Sequence, residues 1–411
     1  MKNKTYVPPD HFLEKYAEVL VTFGMQTVTG KPLKKGSVIL FEVPDVAKPL
    51  YFHLQKAILR AGHHPLGRLL PTDDEEYNFT NNFYTTASKK QREFFPETQY
   101  RGTLEQIDGR IAILAKTHPD ALKGIDPKYV MQAALAKKVA GDLFFAKVND
   151  GKLAWTLGLW GTEVLAKEAG MSLKAYWNQI IKACYLDVED PVTAWKEINK
   201  TVQKTAKKLS ALKIDSVHVT GKDMDVTIGI GADRSWKAGG GCNVPSYEVF
   251  TSPDYRRVDG WIRFNQPHYD RYGHLMKDIY LEFKNGVCTK ATASKNQAAL
   301  HALLKAPGGN RLGEFSLTDS RLSRITKFMA NTLYDENTGG KFGNMHVALG
   351  SAYKDCYQGS KAPKDEQGWD ELGYNSSVVH EDIVTTTDRT VEATLSDGTK
   401  RIIYKNGQFT L

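Results

Sequence analysis

The sequence predicts an α/β chain of two domains: an N-terminal α/β domain on a parallel sheet, then a strand-rich α+β domain. Three observations carry this. The length, 411 residues, exceeds what one ordinary core serves. The first half alternates short apolar runs with helical patterns, as βαβ units do. Beyond residue 213 strand-like runs separated by turn signals take over. The boundary is placed near residue 190, giving domains of residues 1–190 and 191–411.

Residues 10–24 bring Phe12, Leu13, Tyr16, Val19 and Leu20 to one helical face, with Asp10 as the N-cap. GKPLKKGS is a turn, and SVILFEV (37–43) a short buried strand. KPLYFHLQKAILRAGHH (48–64) reads as a helix ending at Gly62, and PLGRLLP (65–71) as the next strand. Residues 73–100 carry little pattern and are expected to form a long surface segment. The stretch 128–148 looks helical in its first part, and helical periodicity is clear over 172–186 and 190–213, the last with Asp190 as cap and Pro191 at the first helical position. KLAWTLGLWGT (152–162) between them is a strand and loop. In the second domain VHVTGKDMDVTIGIG (217–231) alternates about a turn, and VDGWIRFN and KDIYLEFKNGVCTKATA continue the strand-like texture. The closing VEATLSDGTKRIIYKNGQFTL reads as a terminal hairpin, with turn signals at SDGT and KNGQ.

Composition narrows the function classes. The net charge of +8 is diluted over a large surface, and the Lys-rich stretches 31–35 and 199–213 read as solvated faces. Basic and aromatic residues do not interleave as a nucleic-acid groove requires, so no nucleic-acid partner is expected. Four distant cysteines form no Cys-x-x-Cys, which argues against a thiolate zinc site and fits a reducing cytoplasm. The opening stretch lacks the apolar run of a signal peptide, and no segment of about eighteen apolar residues predicts a membrane span.

Acid and imidazole recur at four places in the second domain. In NSSVVHEDIV (375–384) His380 and Asp382 are two residues apart on a strand, so they share a face, and Glu381 points away. Taken alone, so short and common a pattern is better explained by an exposed polar edge strand than by metal ligation. Glu248 sits in YEVF, between a glycine run and two prolines. Glu314 follows a glycine and precedes Phe315. Each of these glutamates alone fits a solvent-facing position. LYDENTGGKFGNMHVALGSAYKD (333–355) offers Asp335, Glu336, His346 and Tyr353. If its end is helical, His346 and Tyr353 lie two turns apart on one face; a lone His in MHVALG is more often a satisfied core histidine than a ligand. Together the four places hold two imidazoles, at least three carboxylates and no thiolate. That donor set is wrong for structural zinc and right for a hydrolytic site with two divalent ions. Three clustered carboxylates repel one another, and two such ions bring about four positive charges to balance them.

The motifs GGGCNVPSYEVFTSP, RLGEFSL, LYDEN with HVALGSAY, and NSSVVHED occur in an order that resembles the aminopeptidase T and aminopeptidase S family of dinuclear metallo-aminopeptidases. Weaker likeness extends through the first domain, notably in AKEAGMSLKAYWNQIIKACYLDVEDPVTAWKEI. The resemblance implies an exopeptidase that removes N-terminal residues from peptides with a free amine. It implies metal ligation by Glu248, Glu314, His346, His380 and Asp382, with Glu336 counted near the metals, and catalytic parts for Tyr353 and for Glu314 as general base. TGGKFGNM lengthens the gap between Glu336 and His346 relative to the family pattern. Two divalent metals (zinc, cobalt or manganese), a homodimer and a cytoplasmic location are further expectations from the resemblance. Another dinuclear metallohydrolase, an amidohydrolase or phosphoesterase, and a non-catalytic metal-stabilised binding protein are the alternative readings.

Overall fold

The computed structural model describes residues 5–26, 30–270 and 273–411. The chain divides into two compact units, Met1–Lys196 with Gly241–Val244, and Glu197–Gly240 with Pro245–Leu411. The first is an α/β unit on a four-stranded sheet, and the second is built on antiparallel sheets.

In the first unit helix α1 (Asp10–Glu18) begins at the residue expected to cap it. Pro9 occupies the cap position, and Asp10 sits in the first turn, where its charge favours the helix dipole. The apolar periodicity then continues through a π turn over Val19–Phe23 rather than α-helix. Strand β1 (Val38–Pro44), helix α2 (Lys48–Arg60) and strand β2 (His64–Leu70) form the expected βαβ unit, with β1 and β2 parallel. Residues 73–100, expected to lack regular structure, instead hold α3 (Phe79–Thr86), α4 (Lys89–Arg92) and the start of α5 (Glu97–Gln106). Local caps make these short helices: Asn78 accepts from the Asn81 N–H, and Ser88 and Gln91 form a capping box. Strand β3 (Gly109–Leu114) is absent from the sequence expectations. Helix α6 (Pro127–Asn149), strand β4 (Ala154–Leu159), α7 (Glu163–Glu168) and α8 (Leu173–Ala183) follow. The sheet order is β2-β1-β3-β4, all parallel. Helix α9 (Pro191–Ala211) has Asp190 accepting from the Thr193 N–H at 3.0 Å, the cap the sequence predicts.

The second unit opens with the hairpin β5 (Ile214–Gly221) and β6 (Met224–Gly229), then β7 (Lys237–Ala238), β8 (Glu248–Thr251), β9 (Val258–Arg263), β10 (His268–Tyr269) and β11 (Leu275–Met276). Next come β12 (Tyr280–Lys284), β13 (Val287–Thr292), α10 (Gln297–Lys305), β14 (Leu312–Thr318), α11 (Thr332–Asp335) and β15 (Asn344–Gly350). The last strands are β16 (His380–Thr385), β17 (Arg389–Leu395), β18 (Lys400–Lys405) and β19 (Gln408–Phe409). The expected terminal hairpin is thus a three-stranded meander. Asn406 and Gly407, at φ 53° and 78°, make its last turn, as a type I′ turn requires.

Two sheets organise this unit: an eight-stranded one, β13-β12-β9-β6-β5-β17-β18-β19, and a five-stranded one, β16-β15-β14-β8-β7. All seven residues of β14 and all seven of β15 are buried, so polar side chains on them are withdrawn from water. The register of the five-stranded sheet sets which of those polar side chains share a face.

Candidate metal centre

Directly paired residues of an antiparallel sheet point to the same face, as do i and i+2 along a strand. In this sheet Glu248 pairs with Thr318 and Glu314 with Ala348, while Ala348 pairs in turn with Asp382. Ser316 pairs with His346, and Gly350 with His380. Period two along β14, β15 and β16 then places Glu248, Glu314, His346, His380 and Asp382 on one face. Ala348, in register between Glu314 and Asp382, leaves the middle open. A bulge at Leu312/Glu314 adjusts the aim of Glu314.

The distances agree. His346 Nε2 lies 3.4 Å from Glu314 Oε1, 3.6 Å from Glu248 Oε2 and 4.0 Å from Asp382 Oδ1. His380 Nε2 lies 3.2 Å from Glu314 Oε2 and 3.5 Å from Asp382 Oδ1. Two groups with metal-ligand spacing result, Glu248–Glu314–His346 and Glu314–His380–Asp382, and Glu314 belongs to both. His380 donates Nδ1–H to the Ser351 carbonyl at 2.8 Å, which fixes its tautomer and leaves Nε2 as the atom that could ligate a metal. The Ser246 hydroxyl donates to Glu248 Oε1 at 3.2 Å.

The electrostatics of the protein alone are strained. Among the described residues no Lys or Arg pairs with these carboxylates. Burial, reinforced by Glu314, pushes Glu248 up to about 7. Burial opposes charge on His346, but Glu314, Asp382 and Glu248 outweigh it and raise the imidazole to about 9. His380 is likewise raised well above its ordinary value, against burial, by Asp382 and Glu314. Burial works to raise Asp382, yet His380 and His346 hold it down at about 2. Among the described residues Asp382 Oδ1 has no hydrogen-bond partner, nor has His346 Nδ1. Buried oxygens and imidazoles, an orphaned carboxylate oxygen and no fixed cation together fit divalent metal ions.

Tyr353 is not two helical turns from His346, because HVALG is strand β15. It stands in the coil after Gly350, its ring edge-on to His380 with centroids 4.9 Å apart. The residue is 43 % exposed, yet withdrawal of its phenol from water and the carboxylates of Glu314, Asp382, Glu248 and Glu336 raise it well above its ordinary value. Glu336 ends α11, buried and outside both ligand groups. It lies close enough that Glu248, Asp382 and Glu314 add to the effect of burial in raising its carboxyl.

Several scaffold roles escaped sequence reasoning, even where the sequence singles out the residue itself. Asp335 clamps its own loop by accepting from the N–H groups of Met329 and Asn331. Asn337 accepts from the Tyr247 N–H at 2.6 Å, next to Glu248, and donates to the Leu333 carbonyl. Asn344 donates to the carbonyls of Asp335 and Glu336. A cluster of Asp, Glu and Asn in one tripeptide was the available signal: only its middle residue faces the centre, and its neighbours hold the backbone. Glu381 turns away from the ligands as predicted, but it meets buried His268 at 3.2 Å instead of solvent.

The chain is similar to known proteins along nearly its whole length. The family described as thermophilic metalloprotease (M29) matches residues 10–409. The chain is 26 % identical to aminopeptidase PepS of Streptococcus thermophilus, over 97 % of this chain and 98 % of that one. It is also 26 % identical to aminopeptidase T of Thermus thermophilus over the same shares. A solved structure of wild-type AmpT from Thermus thermophilus superposes with a TM-score of 0.82 at 23 % identity, covering 97 % of this chain and 99 % of that one. The two-unit mixture of parallel and antiparallel sheets is therefore a shared fold. The chain belongs to the M29 family of thermophilic metalloproteases.

Proposed function

We propose that this protein is a metal-dependent aminopeptidase acting on peptides with a free N-terminus. The observation that carries the reading is the pair of ligand groups sharing Glu314 on one sheet face. The names of the relatives supply the substrate class. Glu248, Glu314 and His346 would hold one divalent ion, and Glu314, His380 and Asp382 a second. Bound there, the ions supply an acidified water and a Lewis acid for the scissile carbonyl. Zinc, cobalt and manganese all suit a set of carboxylates and imidazoles.

The chain's own groups do the rest. Glu314 takes the proton of the attacking water and returns it to the leaving amine as the C–N bond breaks. The Tyr353 hydroxyl donates to the oxyanion of the tetrahedral species. Glu336, just outside the ligand groups, receives the substrate's α-ammonium. Its ionised form is restored once cations offset the neighbouring carboxylates.

We further infer that two chains pair in the cytoplasm. Met131, Leu135 and Val139 form an exposed apolar line along α6, and Phe79 and Phe83 another on α3. Among the described residues none of the four cysteines forms a disulfide, as expected in a reducing compartment. No helix among the described residues is long and apolar enough to cross a membrane.

A substrate panel on metal-stripped and reloaded protein tests the activity. Reloaded enzyme should cleave aminoacyl chromogenic amides and spare their N-acetylated forms. Cleavage of phosphoesters, or equal cleavage of acetylated amides, would move the protein to another metallohydrolase class. No turnover with any metal would leave a binding protein.

A further inference from the structure

The ligands sit on strands, held by ladder hydrogen bonds. Tyr353 does not: it lies three residues past the end of β15. Three successive N–H groups tie that coil down. Ser351 donates to the Val379 carbonyl at 2.8 Å and Ala352 to the Asn375 carbonyl at 2.9 Å. The Tyr353 N–H alone reaches a side chain, the Ser252 hydroxyl, at 2.8 Å.

Ser252 directly follows β8, the strand that begins with Glu248. Residues 248, 250 and 252 project to one face at period two. Glu248 faces the metal-ligand cluster. The Phe250 ring packs on the Tyr353 ring, centroids 5.4 Å apart and tilted by 59°. Ser252 is fully buried, and its carbonyl accepts from Arg234 Nε at 3.2 Å. Arg234 is itself buried, with its guanidinium over the Tyr374 ring at 3.9 Å. The seat under Tyr353 is thus anchored to buried groups rather than to solvent.

We propose that Ser252, with Phe250 beside it, is the positioning residue for Tyr353, so that β8 supplies both a ligand and the seat of the oxyanion donor. The inference rests on the part given above to Tyr353. An oxyanion donor works only where the oxyanion forms, and misplacement by an ångström removes most of its effect.

The test is a double-mutant cycle on metal-loaded enzyme with an aminoacyl chromogenic amide. Ser252→Ala should lower kcat by about 10- to 100-fold. KM and the metal stoichiometry by elemental analysis should stay near wild type. In a Tyr353→Phe background the same substitution should cost nothing further. Phe250→Leu, at a partly exposed position, should give a smaller loss that also vanishes in that background. It keeps the question open to measurement if Ser252→Ala folds poorly. Wild-type kcat in both single variants would overturn the inference, as would equal losses in the Tyr353→Phe background, which would mark a purely structural role. Full activity of Tyr353→Phe itself would instead bring down the reading beneath, and the inference with it.

Discussion

Gly239→Ala is the sharpest probe of how the centre is packed. Gly239 lies in the glycine run before Glu248, and its N–H donates to the Glu248 carbonyl at 3.2 Å. A Cβ there would meet Ser246 Oγ at 1.8 Å and Glu248 Oε1 at 2.6 Å. Its φ lies outside the left-handed region, so alanine suits the backbone and the substitution tests space alone. Overpacking of this kind costs about 1–3 kcal/mol. Swinging the Ser246 hydroxyl away also breaks its hydrogen bond to a carboxylate, about 1.5–3 kcal/mol. The two together come to roughly 2.5–6 kcal/mol. Were all of it felt at Glu248, the metal affinity of the group containing it would fall by about two to four powers of ten. Competitive titration of stripped protein with a chromogenic chelator reads this directly, and circular dichroism checks the fold. Adding Ser246→Ala removes the nearest atom but leaves Glu248 Oε1 at 2.6 Å, so it should restore affinity only in part. Wild-type affinity in Gly239→Ala would refute the packing argument.

Three more outcomes are expected. Tyr353→Phe should keep metal content and melting temperature while kcat falls by about 100- to 1,000-fold, the scale of one oxyanion donor; stopped-time assays at saturating substrate measure it. His380→Ala should lose part of the bound metal as well as rate, because Nε2 faces Glu314 and Asp382; unchanged stoichiometry would exclude His380 as a ligand. The metal-free protein should lose stability with rising pH. Both Glu248, raised to about 7, and His346, raised to about 9, bind protons more tightly folded than unfolded. Stability from Glu248 is therefore lost between about 4.5 and 7, and that from His346 between about 6.5 and 9. Melting curves of stripped protein should fall across that range, and loading with metal, which displaces those protons, should flatten them. A flat stripped profile would count against the protonated cluster.

What could be read beforehand divides along a physical line. Strands with a buried apolar run or a clear turn, such as β1 and the hairpin β17–β18, are specified locally and were legible, whereas the short third strand β19 was not expected. Short helices α3 and α4 were not legible, since their apolar faces are weak and their caps, Asn78 and Ser88, look like any polar loop residue. At the centre, each ligand's face followed from period two within its own strand, so His380 and Asp382 could be paired from sequence. Which strands lie side by side is set by long-range register, and no local pattern carries that. Residues defined only by a neighbour across the sheet were therefore missed. Ala348 matters because Glu314 and Asp382 flank it in register, and Ser252 because a coil 101 residues away rests on it. Polarity announces a ligand in the sequence, whereas the small residues that make room for ligands and the hydroxyls that seat them look ordinary until the strands are paired. The same asymmetry explains why Glu336, although polar and in a telling tripeptide, could not be placed relative to the ligands from sequence. Its distance from them depends on the backbone hold of Asn344 and Asn337, which only the folded chain brings to bear.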